Sequence, residues 1–284
     1  MITGTTKLYG IIGYPVEHSF SPLMHNANFL ELGLDYVYIA FEVHPDNLKN
    51  AASAIRTLDI KGLNVTIPHK QEIMQYLDEI DPISEKMGAI NTIKNDDGYL
   101  KATNTDAAGA KKSLVDAGFT IEGKNIVFIG SGGAARSIAY ILSEDAKKIV
   151  LTDIVEERAV TVAKEITKNM GANVKGKLAS DKVLADEIKH ADLLINATPI
   201  GMYPKEGDSP ISKDLLHQEL LVFDVIYNPM ETQLMKEAAE IGCKTLSGLD
   251  MLINQGVIAF EWWTGKTPNS KLMKDKIIDF LGIK

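Results

Sequence analysis

Apolar runs and amphipathic runs take turns along the second half of the chain. The apolar runs lack polar alternation, which is typical of strands covered on both faces. The intervening segments repeat apolar residues at helical spacing. The predicted strands are 124–130, 148–153, 192–198 and 220–225, and the predicted helices include 155–170 and 231–241. This alternation predicts a doubly wound parallel sheet with helices on both of its faces.

The first half of the chain shows shorter segments of both kinds. Aromatic and β-branched residues mark strands at 7–13, 36–43 and 62–67, and helical spacing covers 22–32 and 45–58. Asp97-Gly98 is a turn signal between two short extended runs within 89–101. A helix at 107–117 then leads into the second half. The pattern predicts a separate α/β unit before the parallel sheet, and an apolar, aromatic helix at 249–264 after it.

A glycine-rich turn, Gly130-Ser131-Gly132-Gly133-Ala134-Ala135, joins the first predicted strand of the second half to a helix. Gly130 suits the tight turn, Gly132 admits a close pyrophosphate, and Ala135 allows helix and strand to pack. The amides at the helix start then face the anion. The strand before and the helix after favour a dinucleotide site over a bare glycine turn.

An acid, Asp153, ends the next predicted strand, where Rossmann-type proteins contact the cofactor ribose. A carboxylate there accepts hydrogen bonds from the ribose hydroxyls of NAD and repels the 2′-phosphate of NADP. Asp153 therefore favours NAD, although a solvated acid at a strand end is an open alternative. Arg158, on the following helix, is placed where it can approach a phosphate.

Polar residues are dense where the first half should have plain loops. Ser21, before Pro22, and Asp106 each suit a helix N-cap, but capping leaves Ser19 unexplained. Hydroxyls, amides and a lysine close to strand ends suit a polyol ligand. The set comprises Ser19, Ser21, Asn64, Thr66, Lys70, Asn91 and Asp106.

Composition narrows the class of protein. The net charge is -8 and the chain has no basic run, so a nucleic-acid partner is not expected. The single cysteine, Cys243, reads as a buried strand residue and fits a reducing cytoplasm. The chain has no signal peptide pattern, no apolar run of the roughly twenty residues that span a membrane, and no histidine spacing that suggests a metal.

Eight segments together resemble the shikimate dehydrogenase family along nearly the whole chain. They are GYPVEHSFSPLMHN, GLNVTIPHK, GAINTI, NTDAAG, GSGGAAR, NATPIGM, DVIYNP and GLDMLINQG. The resemblance implies reversible hydride transfer between a nicotinamide dinucleotide, NAD or NADP, and shikimate/3-dehydroshikimate. This reaction belongs to the chorismate route to aromatic amino acids.

The resemblance also carries residue roles onto this sequence. It implies that Lys70 and Asp106 are catalytic. It implies a substrate-binding set of Ser19, Ser21, Asn64, Thr66, Asn91, Asp106, Tyr227 and Gln255. It implies that the pyrophosphate lies on Gly130, Ser131, Gly132, Gly133 and Ala134, with Val225 and Gly248 near the nicotinamide.

The motifs divide the chain into two predicted domains with a cleft between them. Residues 1–105 form an α/β substrate-binding and catalytic domain, and the helices of 249–284 pack back on it. Residues 106–248 form a Rossmann-type dinucleotide-binding domain. A cleft between two domains is a natural place for closure on a substrate.

One segment departs from the family pattern. Members that use NADP typically carry Asn-Arg-Thr or Asn-Arg-Ser after the second strand of the cofactor domain, and this chain has Thr152-Asp153-Ile154. NADP is the family default, whereas Asp153 argues for NAD. The serine pair resembles the shikimate-preferring pattern, so quinate is expected only as a side activity.

Three alternatives stay open. A two-domain dehydrogenase acting on a folate or an amino acid would leave the Ser19, Asn64, Thr66 and Lys70 cluster unexplained. A quinate/shikimate dehydrogenase with NAD preference would fit Asp153 but not the serine pair. A non-catalytic ligand-sensing relative should have lost Lys70 or Asp106, and both are present. A homodimer is neither favoured nor excluded.

Overall fold

Strands and helices alternate along the chain and build two six-stranded sheets. The structure is a computed structural model that describes residues 2–282. Its strands are β1 (Lys7–Gly13), β2 (Tyr36–Glu42), β3 (Gly62–Val65), β4 (Glu79–Ile80), β5 (Thr92–Asp96), β6 (Tyr99–Thr103), β7 (Asn125–Ile129), β8 (Lys148–Asp153), β9 (Val174–Leu178), β10 (Leu193–Asn196), β11 (Leu221–Asp224) and β12 (Lys244–Ser247).

The α-helices lie between these strands and after the last of them. They are α1 (Ser21–Glu31), α2 (Leu48–Thr57), α3 (Pro82–Met87), α4 (Thr105–Asp116), α5 (Gly133–Leu142), α6 (Glu156–Met170), α7 (Asp181–Ile188), α8 (Gln233–Ile241), α9 (Gly248–Thr264) and α10 (Ser270–Leu281). None of the described helices is long and apolar enough to cross a membrane.

The chain divides into two compact units. Unit 1 comprises the residues up to Thr105 together with those from Ile253 onward, and unit 2 is Asp106–Leu252. Each unit contains one of the two sheets.

The sheet of unit 2 has the strand order β12-β11-β10-β7-β8-β9, and all of its strand pairs are parallel. This is the Rossmann-type order, which confirms the predicted doubly wound sheet. The order reverses between β7 and β10, and such a switch point is where open α/β sheets bind ligands. Helices on both faces bury the strands, which explains their continuous apolar runs.

The sheet of unit 1 has the order β2-β1-β3-β5-β6-β4 and is mixed. β1 pairs in parallel with β2 and β3, whereas β5 is antiparallel to both β3 and β6. The predicted turn between β5 and β6 is confirmed, with Asp97 and Gly98 at φ values of 51° and 94°. The antiparallel pairing brings the start of β5 beside the end of β3.

The two faces of the unit 1 sheet are covered differently. One face packs against α2, where Leu63 and Val65 join a core that includes Ile55. The opposite face is aromatic, and its tyrosines contact side chains of α1 and α9. Trp263 of α9 donates from Nε1 to the Ile93 carbonyl at 2.9 Å, and its ring occupies the space that a Cβ on Gly62 would need.

Several predicted elements differ in extent from the observed ones, most clearly two in unit 1. The helix expected at 45–58 is a 3₁₀ turn, Pro45–Asn47, followed by α2. The strand expected at 62–67 ends at Val65, because Thr66 begins a turn that continues to Lys70.

Candidate functional site

The predicted polar residues of unit 1 gather where β3 ends and β5 begins. Asn64 lies in β3 directly opposite Thr92, the first residue of β5. Asn91 precedes Thr92, and both asparagines are 4% exposed. The register between antiparallel strands therefore brings together side chains that are far apart in sequence.

These side chains form a continuous hydrogen-bond network. Asn64 Nδ2 donates to the Asn91 carbonyl at 3.2 Å and to Thr92 Oγ1 at 3.0 Å. Thr92 Oγ1 donates in turn to Asn91 Oδ1 at 3.0 Å and lies 2.8 Å from Thr105 Oγ1. Every member of the network is uncharged, so burial does not carry the cost of a desolvated ion.

Asn91 also links the sheet to the start of α4. Its Oδ1 accepts from the Thr105 backbone N–H at 2.6 Å and from Thr105 Oγ1 at 3.1 Å. The first amides of a helix have no partner within the helix, and Asn91 supplies one here. Since Oδ1 faces these donors, Nδ2 faces the other way, and none of the described residues accepts a hydrogen bond from it. The amide is thus oriented as a donor for a ligand.

Ser21 does not cap α1, and Ser19 is the serine whose hydroxyl bonds a backbone amide at the start of this helix. Phe20 is the N-cap residue of α1 and makes no side-chain capping bond, while Ser21 is the first helical residue and is buried. The interpretation of Ser21 as an N-cap is therefore wrong. Ser19 Oγ, which capping had left unexplained, accepts from the Ser21 backbone N–H at 3.2 Å.

The other residues predicted to bind the substrate lie in the turn after β3 and in the helices α4 and α9. Lys70 is half-buried in the turn after β3, and its carbonyl accepts from the Ile90 N–H at 3.0 Å. Thr66 is half-buried in the same segment, and Gln255 is buried in α9. Asp106 is the second residue of α4, so its interpretation as an N-cap is wrong, because the helix already begins at Thr105.

The glycine loop of unit 2 has the geometry of an anion cradle. Gly130 has a φ of 94°, and a Cβ there would lie 2.9 Å from both the Ala197 carbonyl oxygen and Thr198 Cγ2. Gly132, the N-cap residue of α5, makes no side-chain capping bond. A Cβ on Gly132 or Gly133 would meet no atom within 4 Å. The backbone at the start of α5 thus leaves room for a ligand, and a helix N-terminus suits an anion such as a pyrophosphate.

Asp153 organises this loop. Its Oδ2 accepts from the Ser131 backbone N–H at 3.0 Å and from Ser131 Oγ at 2.7 Å, and its Oδ1 accepts from the Val155 N–H at 3.0 Å. Burial raises the pKa of Asp153, but these hydrogen bonds and the positive charge of Arg158 outweigh it and leave the pKa below its usual value. Asp153 is therefore a carboxylate at neutral pH, rather than a freely solvated acid.

Two further predicted cofactor residues lie together. The Gly248 N–H donates to the Ile226 carbonyl at 3.1 Å, and a Cβ on Gly248 would lie only 2.1 Å from the Val225 carbonyl oxygen. Only glycine allows the backbone after β12 to approach the segment after β11 so closely. Tyr227, two residues after Val225, is 37% exposed.

A buried carboxylate, Asp224, supports this segment and was not singled out from the sequence. Asn196 Nδ2 donates to both of its oxygens at 3.1 Å, Thr232 Oγ1 donates at 2.7 Å, and the Ile226 N–H donates at 3.1 Å. Burial raises the pKa of Asp224 above its usual value, against the opposing effect of these hydrogen bonds. A polar last residue in an otherwise apolar strand was the available signal for both Asn196 and Asp224.

The two buried histidines make contacts within the protein. His69 Nε2 lies 2.7 Å from the Val43 carbonyl oxygen, and His25 is fully buried among aromatic rings. Within residues 2–282, no group of three or more His, Cys, Asp or Glu side chains is arranged to hold a metal ion.

Family models match both ends of the chain. The model described as the shikimate dehydrogenase substrate binding domain matches residues 11–93. The model described as the shikimate 5′-dehydrogenase C-terminal domain matches residues 248–278.

Known proteins match along the full length. A shikimate dehydrogenase (NADP(+)) from Methanocaldococcus jannaschii is 48% identical over 98% of this chain and 99% of its own. The structure of a Listeria monocytogenes shikimate 5-dehydrogenase in complex with shikimate and NAD is 39% identical with a TM-score of 0.92, covering 97% of this chain and 98% of that one. A ligand-free 5-ketofructose reductase from a Gluconobacter strain is 32% identical with a TM-score of 0.91, covering 98% and 100%. The identity along nearly all of both chains places this protein in the shikimate dehydrogenase family.

Proposed function

We propose that the protein is an NAD(P)-dependent shikimate dehydrogenase that interconverts shikimate and 3-dehydroshikimate in aromatic amino-acid biosynthesis. The observation that carries the proposal is the 48% identity over 98% of the chain to a shikimate dehydrogenase. The uncharged polar edge of unit 1 supports it, since hydroxyl and amide groups suit the ring hydroxyls of a polyol.

We assign the proton transfer to Lys70. Reduction of a ring ketone creates negative charge on the substrate oxygen, and the Lys70 ammonium stabilises this charge and donates the proton. In the oxidation direction, neutral Lys70 takes the proton from the substrate hydroxyl. We assign to the Asp106 carboxylate the tasks of keeping Lys70 charged and of binding the substrate.

The other substrate contacts follow from the family resemblance and from the network of unit 1. Asn91 offers its Nδ2 as a donor to a ring hydroxyl, because its Oδ1 is occupied by Thr105. The hydroxyls of Ser19 and Ser21 are proposed for the substrate carboxylate. Thr66, Tyr227 and Gln255 are proposed for further hydroxyl contacts, and Asn64 for the wall of the same site.

The dinucleotide would lie on the backbone amides of Gly132 and Gly133 at the start of α5, with Ser131 and Ala134 beside them. When bound, it supplies or accepts the hydride. We propose the backbone of Val225 and Gly248 for its nicotinamide end.

We further propose that the cofactor is NAD rather than NADP. The Asp153 carboxylate is held in place by Ser131 and Val155, and its lowered pKa keeps it charged at neutral pH. A fixed negative charge next to the ribose accepts hydrogen bonds from its hydroxyls and repels a 2′-phosphate. Arg158 is exposed, so solvent weakens its attraction for a 2′-phosphate.

The test is a steady-state assay of the purified chain with shikimate, quinate and 5-ketofructose as substrates. Shikimate and quinate are assayed for oxidation with NAD and with NADP, and 5-ketofructose is assayed for reduction with NADH and with NADPH. We expect the highest kcat/KM for shikimate with NAD and a lower value for quinate. A folded sample that acts on none of the three would favour the ligand-sensing alternative, and a preference for 5-ketofructose would favour a sugar reductase. A strong preference for NADP would contradict the assignment of Asp153.

We place the protein in the cytoplasm. The single cysteine supports this, since Cys243 is a buried thiol whose Sγ donates to the His217 carbonyl at 3.2 Å. Reducing compartments suit such thiols. Sedimentation equilibrium would settle whether a homodimer forms.

A further inference from the structure

The hydrogen-bond network of unit 1 begins at a residue that no motif marked. Tyr38, in β2, is 2% exposed, and its hydroxyl donates to Asn64 Oδ1 at 2.6 Å. β2 and β3 are not neighbours in the sheet, because β1 lies between them. The phenol is long enough to reach across β1, and a shorter polar side chain at position 38 would not be.

Burial favours the protonated form of the Tyr38 hydroxyl, which can donate to Asn64. Burial raises the pKa of Tyr38 well above its usual value, and a hydrogen bond from Ser21 opposes this only in part. The hydroxyl is therefore protonated at neutral pH and can donate. The Asn91 carbonyl can only accept, so Asn64 turns its Nδ2 toward that carbonyl and its Oδ1 toward the Tyr38 hydroxyl.

Three sets of contacts hold Tyr38 in place. The side chain of Asn26 in α1 bonds both backbone groups of Tyr38, accepting from its N–H and donating to its carbonyl, each at 2.8 Å. The ring of His25 stacks on the Tyr38 ring with centroids 4.6 Å apart and planes 18° from parallel. Asn64 then takes the hydroxyl. A tyrosine that is held at its backbone, at its ring face and at its hydroxyl is confined to one position.

The orientation set by Tyr38 passes to Asn91. Asn64 Nδ2 donates to Thr92 Oγ1, so that the Thr92 hydroxyl is free to direct its own proton to Asn91 Oδ1. If Asn64 were flipped, its oxygen would face the Asn91 carbonyl and the two acceptors would repel. The Asn91 amide is thus held by Thr105 and also by a chain of three hydrogen bonds that runs through Thr92 and Asn64 to Tyr38.

We propose that Tyr38 is a positioning residue for the substrate, which fixes Asn64 and, through Asn64 and Thr92, supports the Asn91 amide as a donor to a ring hydroxyl. This inference rests on the proposed function, since it names the residue that prepares the same site. Tyr38 itself need not touch the substrate.

The test compares Tyr38→Phe with the matched variant Tyr9→Phe. Tyr9 lies on the same face, opposite Tyr38 in the neighbouring strand and in the same aromatic cluster, and none of the described residues hydrogen-bonds its hydroxyl. For Tyr38→Phe we expect the KM for shikimate to rise about tenfold, while kcat and the KM for NAD change less than about twofold. Tyr9→Phe should leave all three within about twofold.

A double-mutant cycle separates positioning from general loosening of the fold. If Tyr38 acts through Asn64, adding Tyr38→Phe to Asn64→Ala should raise the KM for shikimate no further. Circular dichroism melting of each variant shows that the fold is retained, and calorimetric titration with shikimate measures binding in variants that turn over poorly.

The outcomes are distinguishable. Wild-type protein that does not act on shikimate overturns the proposed function and this inference with it. An active wild type whose Tyr38→Phe variant keeps its KM overturns this inference alone. Additive losses in the double variant, or equal losses in Tyr9→Phe, also overturn it. A Tyr38→Phe variant too unstable to assay makes the hydroxyl a requirement for folding and overturns a role confined to the substrate.

Discussion

Each unit contains a buried asparagine at or next to the end of a strand, and the two are satisfied in opposite ways. In unit 1, Asn64 bonds a phenol, a carbonyl and a hydroxyl, all of them uncharged. In unit 2, Asn196 donates to both oxygens of the Asp224 carboxylate. Asn64 is the last residue but one of β3 and Asn196 is the last residue of β10, and only Asn196 faces a charge.

The difference follows from what each edge has to hold. Asn196 and Asp224 tie two backbone segments together, since Asn196 Oδ1 accepts from the Thr198 N–H and Asp224 accepts from the Ile226 N–H. A carboxylate makes these bonds strong, at the cost of burying a charge. In the unit 1 network, none of the described residues accepts a hydrogen bond from the Asn91 Nδ2, and uncharged amides and hydroxyls suit a polyol.

The largest effect is expected at Lys70 in unit 1, to which we assign proton transfer. Lys70→Ala should lower kcat by about 10²- to 10⁴-fold with little change in the KM for shikimate, because the proton donor is lost. Lys94→Ala, which removes a half-buried lysine paired with Asp96 on the same sheet, is the control. A rise in KM alone would reduce Lys70 to a binding residue.

The pH dependence of the free energy of unfolding tests whether the aromatic core of unit 1 is uncharged. His25 has a pKa lowered to about 3 by burial, and the rings of Phe29, Tyr38, Phe260 and Trp263 around it carry no charge. Above pH 6.5 the imidazole is neutral in both states. Between pH 6.5 and 3 the unfolded chain takes up a proton that the folded protein refuses, so the free energy of unfolding falls by up to about 5 kcal/mol.

His25→Phe should remove this loss. Both ring nitrogens of His25 lack a hydrogen-bond partner among the described residues, so a phenyl ring also removes two unsatisfied polar atoms. Urea unfolding of both proteins from pH 7 to pH 4 measures the difference. Parallel pH profiles for the two would show that His25 is not the buried neutral group.

The charged network of unit 2 should depend on its carboxylate. Asp224→Asn keeps the shape but turns an amide toward the Asn196 amide, and we expect the free energy of unfolding to fall by about 2–3 kcal/mol. Asp192→Asn is the control on the same sheet, because that partly exposed acid accepts from Lys124 and the Asn125 N–H. Urea melts at pH 7 report both, and equal small losses would mean that the Asp224 charge adds nothing.

The smallest effect concerns cofactor choice. Asp153→Asn removes the charge that faces the proposed ribose site, so the ratio of kcat/KM for NADP to that for NAD should rise about tenfold. Glu156→Gln removes the same charge from an exposed position three residues on and should leave the ratio unchanged. An unaltered ratio in Asp153→Asn would show that the acid only orders Ser131.

The strands of unit 2 and the glycine turn can be predicted from local sequence. The apolar runs and the Gly130–Ala135 turn lie within contiguous segments, and their conformations depend on neighbouring residues. The doubly wound sheet and membership in the shikimate dehydrogenase family are therefore confirmed. The domain limits and the roles of Lys70, Asp106 and the other site residues stay predictions.

The sequence also misassigned residues whose roles depend on one residue of helix boundary. Ser21 and Asp106 suited N-caps by type, but α1 and α4 each begin early enough to include them. Capping preferences cannot fix a helix start by themselves, because tertiary contacts such as the Asn91 bond to the Thr105 amide satisfy the first turn instead.

What the sequence determined by itself is thus the class of fold, the glycine turn of unit 2 and the family, since each rests on patterns within contiguous segments. Only the tertiary structure decided which way the amides of Asn64 and Asn91 face and which residue sets them. The bond from Tyr38 to Asn64 spans 26 positions and crosses a strand, and the bond from Asn64 to Thr92 spans 28. Such partners meet only through the register and order of strands, which no local pattern records.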